Sequence, residues 1–583
     1  MATANSKRLD RKKFFADPTL IGAIVILVIF LSLFILYPLA MLLVDAVSGS
    51  DGVNLSAFGR VWNLYTFRNA FSNTIVLGLI VGFGSVMLGL LFAYVDVYVR
   101  LRSRMVRGLF KVVSMLPVVS PPFVLSLSMI LLFGRSGLVT RTLLGIRNNN
   151  IYGLHGIAIV QILTFFPVCY MMLTGLLKNI DPSLEEASRD MGAGRFKVFT
   201  SVTLPLLLPG LGNAFLVTFI ESVADFANPM MIGGNYDTLA TTIYLQVTGG
   251  TYDMPGASAM AVILLMLTLV LFLIQKYYLE KKTAQTLTGK ASRARMLIED
   301  KSVRYPLSTL CSLVSIFVVL LYVAVPFGAL FKLWGRNYTL VTDHFVNMWK
   351  MDGLQAYKDS ILLSLIATPI TALLSMIISY LVVKKKFKLK GFIEFVSILA
   401  MAVPGTVLGI GYIRGYSAGL FHSGVMLGLY GTGTILVIVF IVRSLPTGTR
   451  SGISALRQID KSIEESAYDM GAGSGKVFTS VTLPLIKDSF LSGLVTTFVR
   501  SITAISAIIL LVTPKYLLIT VRINEFAEKG ENGIACAYAT VLIIITYGVI
   551  LLLNGILRYF DSDHKQKRLA RKFERETKAL YKA

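Results

Sequence analysis

Long apolar runs, separated by shorter polar segments, dominate the chain from end to end. Stretches of about 20 or more mostly apolar residues recur from Leu20–Val44 to Ile534–Leu557, the length a helix needs to cross the hydrocarbon core of a bilayer. About twelve such helices are expected, near residues 19-44, 70-98, 109-133, 153-177, 206-228, 257-278, 306-331, 359-383, 392-413, 424-442, 489-512 and 534-557. The fold class is therefore all-α, a polytopic transmembrane protein embedded in a lipid bilayer. Composition agrees: 55% of the 583 residues are hydrophobic, 15% are charged and the mean hydropathy is +0.70.

A net charge of +24 would suggest a polyanion partner in a soluble protein. Here the distribution along the chain explains it. With the N-terminus inside, about 42 of the Lys and Arg residues fall in cytoplasmic segments and about 13 outside, as the positive-inside rule demands. Both termini are expected in the cytoplasm, and no nucleic-acid partner is needed. Lys7, Arg8, Arg11, Lys12 and Lys13 precede a first apolar run too long for a signal-peptide core, so a retained first helix is expected. Cys169, Cys311 and Cys536 lie far apart within apolar runs and read as packing residues.

An internal repeat organises the chain. Glu185-Glu186-Ala187-Ser188-Arg189-Asp190-Met191-Gly192-Ala193-Gly194 recurs, offset by 279 residues, as Glu464-Glu465-Ser466-Ala467-Tyr468-Asp469-Met470-Gly471-Ala472-Gly473. Both copies continue through Lys-Val-Phe-Thr-Ser-Val-Thr-Leu-Pro-Leu, so that about 16 of about 22 aligned positions match. Each copy follows the fourth apolar run of its half. Two parallel six-helix repeats are thus expected, 1-290 with a loop at 181-205 and 291-583 with a loop at 460-484, with a pathway at their interface. The polar, basic stretch from Lys276 to Arg304 reads as a connector between them.

Each repeated loop spells a short helix. Ser183 and Ser462 are placed to cap it, with Glu186 and Glu465 three residues on to complete a capping box, and Gly192 and Gly471 to end it. Leu184, Ala187 and Met191 share one face, as do Ile463, Ser466 and Met470, giving a compact knob at the cytoplasmic surface.

The pattern Glu186-Ala187-Ser188, Gly192, Leu204-Pro205 and its second copy Glu465-Ser466-Ala467, Gly471, Leu483-Pro484 resembles the cytoplasmic loop of binding-protein-dependent importer permeases. Each copy has one Ala replaced by Ser. The resemblance implies that Glu185, Glu186, Ala187, Gly192 and Ala193, and Glu464, Glu465, Ala467, Gly471 and Ala472, couple the chain to ATPase subunits. It further implies two copies of that subunit, ATP and Mg on those subunits with no cofactor bound by this chain, an extracytoplasmic solute-binding protein and a bacterial inner-membrane location. Val118–Leu125, Leu132–Leu138 and Glu221–Pro229 look like the fused permeases grouped as ferric iron importers, a group with members for phosphorylated sugars and phosphonates. That implies ferric iron as substrate, with hexose phosphate or phosphonate as the alternative.

No catalytic cluster is legible, and an enzyme is not expected. Gly471-Ala472-Gly473-Ser474-Gly475-Lys476 imitates a phosphate-binding loop, but the required first Gly falls at Met470 and the hydroxyl position at Val477. A secondary transporter, also built from repeats, would have no use for paired ATPase-docking loops. His155, His344 and His422 are too scattered to suggest a metal site. The pathway candidates are Glu221, Asp225 and Arg500, charged residues in or beside predicted spans, with Pro121, Pro122 and Pro404, where the third spans can break. The 279-residue offset carries Glu221 onto position 500, so opposite charges occupy matching places, either paired as a gate or separately facing substrate.

Overall fold

A computed structural model describes residues 18–49, 52–146, 149–249, 253–286, 295–385, 387–417 and 428–560. Among these, ten helices are long and apolar enough to cross a membrane. The first half contributes α1 (Leu20–Val47), α2 (Tyr65–Tyr98), α3 (Phe123–Phe133), α4 (Leu154–Asn179), the short loop helix α5 (Pro182–Asp190), α6 (Leu204–Ala224) and α7 (Met254–Thr283). The second contributes α8 (Lys301–Leu330), α9 (Leu354–Lys384), α10 (Lys390–Leu399), α11 (Gly405–Tyr416), α12 (Gly433–Arg457), the loop helix α13 (Lys461–Asp469), α14 (Lys487–Ile502) and α15 (Asn532–Phe560). A two-stranded hairpin follows the first span of each half.

The ten long helices fall short of the expected twelve because two apolar runs do not form one continuous helix. The third run of the second half breaks into α10 and α11 at Pro404, which has no N–H to donate and takes extended ψ. The fifth run ends at Ile502, and turns occupy 503–512. In the first half, Ser120-Pro121-Pro122 breaks the third run immediately before α3.

Within each half the second, fourth and fifth spans form one packed unit: α2 with α4 and α6, and α9 with α12 and α14. The first spans cross over. α1 packs on α11 of the second half, and α8 packs on α3 of the first. Backbone chemistry fixes the first of these crossings. Pro38 lacks the N–H that would bond the Phe34 carbonyl, and a bare carbonyl is costly in lipid. Tyr412 of α11 donates its hydroxyl to that carbonyl at 2.6 Å, and Tyr416 donates to the Leu33 carbonyl at 2.5 Å. Gly411 allows the approach, since a Cβ there would lie 2.7 Å from the Pro38 carbonyl oxygen. Asp45 of α1, buried, is paired with Arg414 and accepts from Ser258 at 2.5 Å. At the other crossing, Trp334 just beyond α8 donates to the Leu131 carbonyl of α3 at 2.5 Å.

The second spans are longer than a bilayer requires. α2 has 34 residues and α9 has 31, about 50 and 46 Å at about 1.5 Å per residue, against about 30 Å of hydrocarbon. The excess carries Tyr98 and Lys384, their last residues, to the repeated loops.

Candidate functional site: the repeated loops and the interhalf cavity

The loop helices start differently from the expectation and stop as expected. Asp181, not Ser183, caps α5: its carboxylate accepts from the Ser183 N–H at 3.0 Å. Asp460 does the same for Ser462 at 3.0 Å. An aspartate two residues earlier outcompetes the serine because its charge also suits the helix N-terminus. The box with Glu186 consequently does not form, and Pro182 takes the first helical position, where no N–H is missed. At the other end Gly192 and Gly471 both have φ +84°. The Ala193 N–H bonds the Ser188 carbonyl at 3.1 Å and the Gly192 N–H the Arg189 carbonyl at 2.8 Å, a Schellman stop; Ala472 bonds Ala467 likewise at 3.2 Å.

The two faces of each loop helix differ in character. Leu184, Ala187 and Met191, with Ile463, Ser466 and Met470, face outward; Met191 is 88% and Met470 82% exposed. Glu465 is exposed too, and Glu186, Ala193 and Ala472 are half-buried. Glu185 and Glu464 face inward and are buried, as is Ala467. A buried carboxylate must be paired and hydrogen-bonded. Glu185 accepts from Tyr98 at 2.5 Å and Thr203 at 2.8 Å and lies 3.7 Å from Arg295; Glu464 accepts from Thr482 at 2.9 Å and lies 3.4 Å from Lys384. Each loop is thus pinned to its second span and to the start of its fifth, while an apolar knob stays outside.

A second feature lies between the halves. A cavity of about 180 Å³ is lined by Glu221 and Asp225 from the end of α6, Arg443 of α12, Arg500 of α14, and Pro122. The structure thereby brings four of the six pathway candidates together; Pro121 adjoins Pro122, and Pro404 borders the site through its neighbour. Arg443 donates to the Val403 carbonyl at 2.8 Å, a carbonyl at the Pro404 break. Asp225 is held by Gln161 and Asn228, each at 2.7 Å, and by the Ala227 N–H at 3.1 Å. Glu221 and Arg500 share the cavity wall without a direct ion pair, and both are close enough to act electrostatically on Arg443.

Two segments of the chain, 85–285 and 371–566, match the family model described as binding-protein-dependent transport system inner membrane component. The chain belongs to this family. The permease is 34% identical to the ferric transport system permease protein FbpB of Actinobacillus pleuropneumoniae, over 94% of this chain and 79% of that protein. It is 35% identical to the putative ferric transport system permease protein FbpB 1 of Haemophilus influenzae, over 88% of this chain and 81% of that protein. A probable ABC transporter permease, y4fN of Sinorhizobium fredii, is 23% identical over 94% of this chain and 97% of its own length. The permease is a multi-pass inner-membrane protein.

Sequence reasoning missed two cations. The fourth apolar run of the second half, read as 424-442, stops one residue short of Arg443 and leaves it among the cytoplasmic charges. The repeat held the correction, since α4 starts at 154 and the 279-residue offset starts its counterpart at 433, leaving Arg443 well inside. Arg295 lay in the supposed connector and carried no sequence signal. His155 and His344 bond backbone carbonyls of Asn150 at 2.7 Å and Phe331 at 3.1 Å, and His422 lies outside the described residues. Among the described residues no cluster of three or more His, Cys, Asp or Glu could hold a metal ion, and all three cysteines are free and buried.

Proposed function

We propose that this permease forms the membrane pathway of an ATP-driven importer and that its two loop helices dock in two copies of an ATPase subunit. The observation that carries the reading is the pair of near-identical surface helices, each with an exposed apolar face, a left-handed glycine stop and a buried glutamate anchor. A knob pinned from behind to two spans transmits force; an unpinned one would bend. ATP and Mg belong to the ATPase subunits, and an extracytoplasmic binding protein delivers substrate to the outer face. Both termini and the interhalf segment lie in the cytoplasm, following the Lys and Arg asymmetry.

Alternating access then consists of opening and closing the interface of the halves around the charged cavity. Ferric iron is the substrate best supported, because the two relatives 34% and 35% identical over 94% and 88% of the chain carry ferric transport in their names. Two carboxylates facing the cavity suit a cation. The second reading, a phosphorylated organic anion, draws on the two guanidinium groups opposite them. Reconstitution with the ATPase and the cognate binding protein decides between them: ferric-loaded binding protein should stimulate ATP hydrolysis. Stimulation by hexose phosphate or phosphonate, with none by ferric iron, would replace the first reading by the second.

A further inference from the structure

The two loop helices are alike in sequence but are held by different cations. In the second half the cation belongs to the span itself: Lys384, the last residue of α9, lies 3.4 Å from Glu464 and reaches the Ile459 carbonyl at 3.4 Å. The last residue of α2 is Tyr98, which donates a hydrogen bond to Glu185 but brings no charge. The charge there comes from Arg295, in the stretch joining the halves. Its guanidinium is half-buried, lies 4.4 Å over the Tyr98 ring and 3.7 Å from Glu185, and donates to the carbonyls of Leu177 and Ile180 at 2.8 Å each.

The stretch carrying Arg295 is itself fastened. Ile298 is bridged to the end of α2, its N–H bonding the Tyr98 carbonyl at 2.7 Å and its carbonyl accepting from Arg100 at 3.1 Å. Arg100 pairs with Glu299. Asp300, which caps α8, pairs with Arg195 beyond the glycine stop of the first loop at 3.0 Å. The residues read as a connector are therefore built into the first loop, and they lead directly into a span of the other half.

We propose that Arg295 is the positioning residue of the first coupling helix, supplying from the interhalf segment the positive charge that the second half carries on Lys384. Because Arg295 and Asp300 lie immediately before α8, with Asp300 capping it, movement of the first loop is passed to the second half along the joining segment as well as through α4 and α6. This rests on the reading that the loops dock in ATPase subunits.

The test uses the full transporter with its ATPase. Leu184 and Ile463, 49% and 45% exposed on the two knobs, are each changed to Cys and fitted with a photoreactive maleimide; the native cysteines are buried. Arg295→Ala should lower crosslinking to the ATPase from position 184 about tenfold while leaving position 463 unchanged, and Arg295→Lys should lower it less. Adding Tyr98→Lys to Arg295→Ala should restore crosslinking from position 184, because the second half's arrangement has then been copied into the first. Unchanged crosslinking in Arg295→Ala overturns the proposal, and so does equal loss at both positions, which marks a general folding role. Loss at 184 without recovery by Tyr98→Lys overturns the charge substitution at its centre. Absence of crosslinking from both positions with Arg295 intact would instead sink the docking reading, and this inference with it.

Discussion

Gly192 and Gly471 offer a perturbation whose cost is confined to the backbone. Both sit at φ +84°, and a Cβ added at either would meet nothing within 4 Å, so no neighbour is pushed aside. The cost for an L-residue in this region is about 1–2 kcal/mol, and a β-branched residue stands at the high end. Each loop then loses about 5–30-fold in the population that keeps its Schellman stop and its knob in place. The anchors of the two loops share no partner, so the costs should add to about 2–4 kcal/mol in Gly192→Val, Gly471→Val. Because both glycines are exposed and outside the bundle, membrane levels of the protein should stay normal while substrate uptake and ATPase association fall together. The control is Gly192→Asn, Gly471→Asn: asparagine enters the left-handed region readily and should keep most of the activity. Normal transport by the Val protein, or an Asn protein as poor as the Val protein, would refute the argument that helix termination is what these glycines supply.

Three further outcomes follow from the same geometry. Lys384→Met should lower the melting temperature of the purified permease, since removing one member of a buried pair typically costs about 3–5 kcal/mol, and Glu464→Gln added to it should recover part of the loss; a further fall in the double variant would deny that the two are paired. In the cavity, Glu221→Gln removes the carboxylate that acts on Arg443, so uptake should fall more than for Arg500→Gln, and Glu221→Arg with Arg500→Glu should recover only part of it; wild-type uptake in Glu221→Gln would remove this cavity from the pathway. A cysteine at Met296, 62% exposed, should resist an impermeant thiol reagent in intact cells and react in inverted vesicles, and labelling in intact cells would reverse the topology.

The sequence by itself determined the features that depend on composition, period and repetition. Membrane solvent forces apolar length, so the spans were legible as runs, and the chain's own second copy exposed the loops, their exposed faces and their glycine stops. Left-handed termination is a local property, and Gly192 and Gly471 met the expectation at both places. The outcome at the helix start was local too, but turned on a competition between Asp181 and Ser183 that pattern alone does not rank. Tertiary structure decided what depends on which distant groups meet. The crossing of α1 onto α11 follows from an unbonded Phe34 carbonyl finding the Tyr412 hydroxyl, residues 378 apart in the chain. The inward turn of Glu185 and Glu464, beside outward-facing neighbours of the same loop helices, follows from where α2 and α9 end. The place of Arg443 in the cavity wall and of Arg295 behind the first loop follows from how the helices and the joining segment converge, because a lone charge carries no period, and its role is set by the partners that folding brings to it.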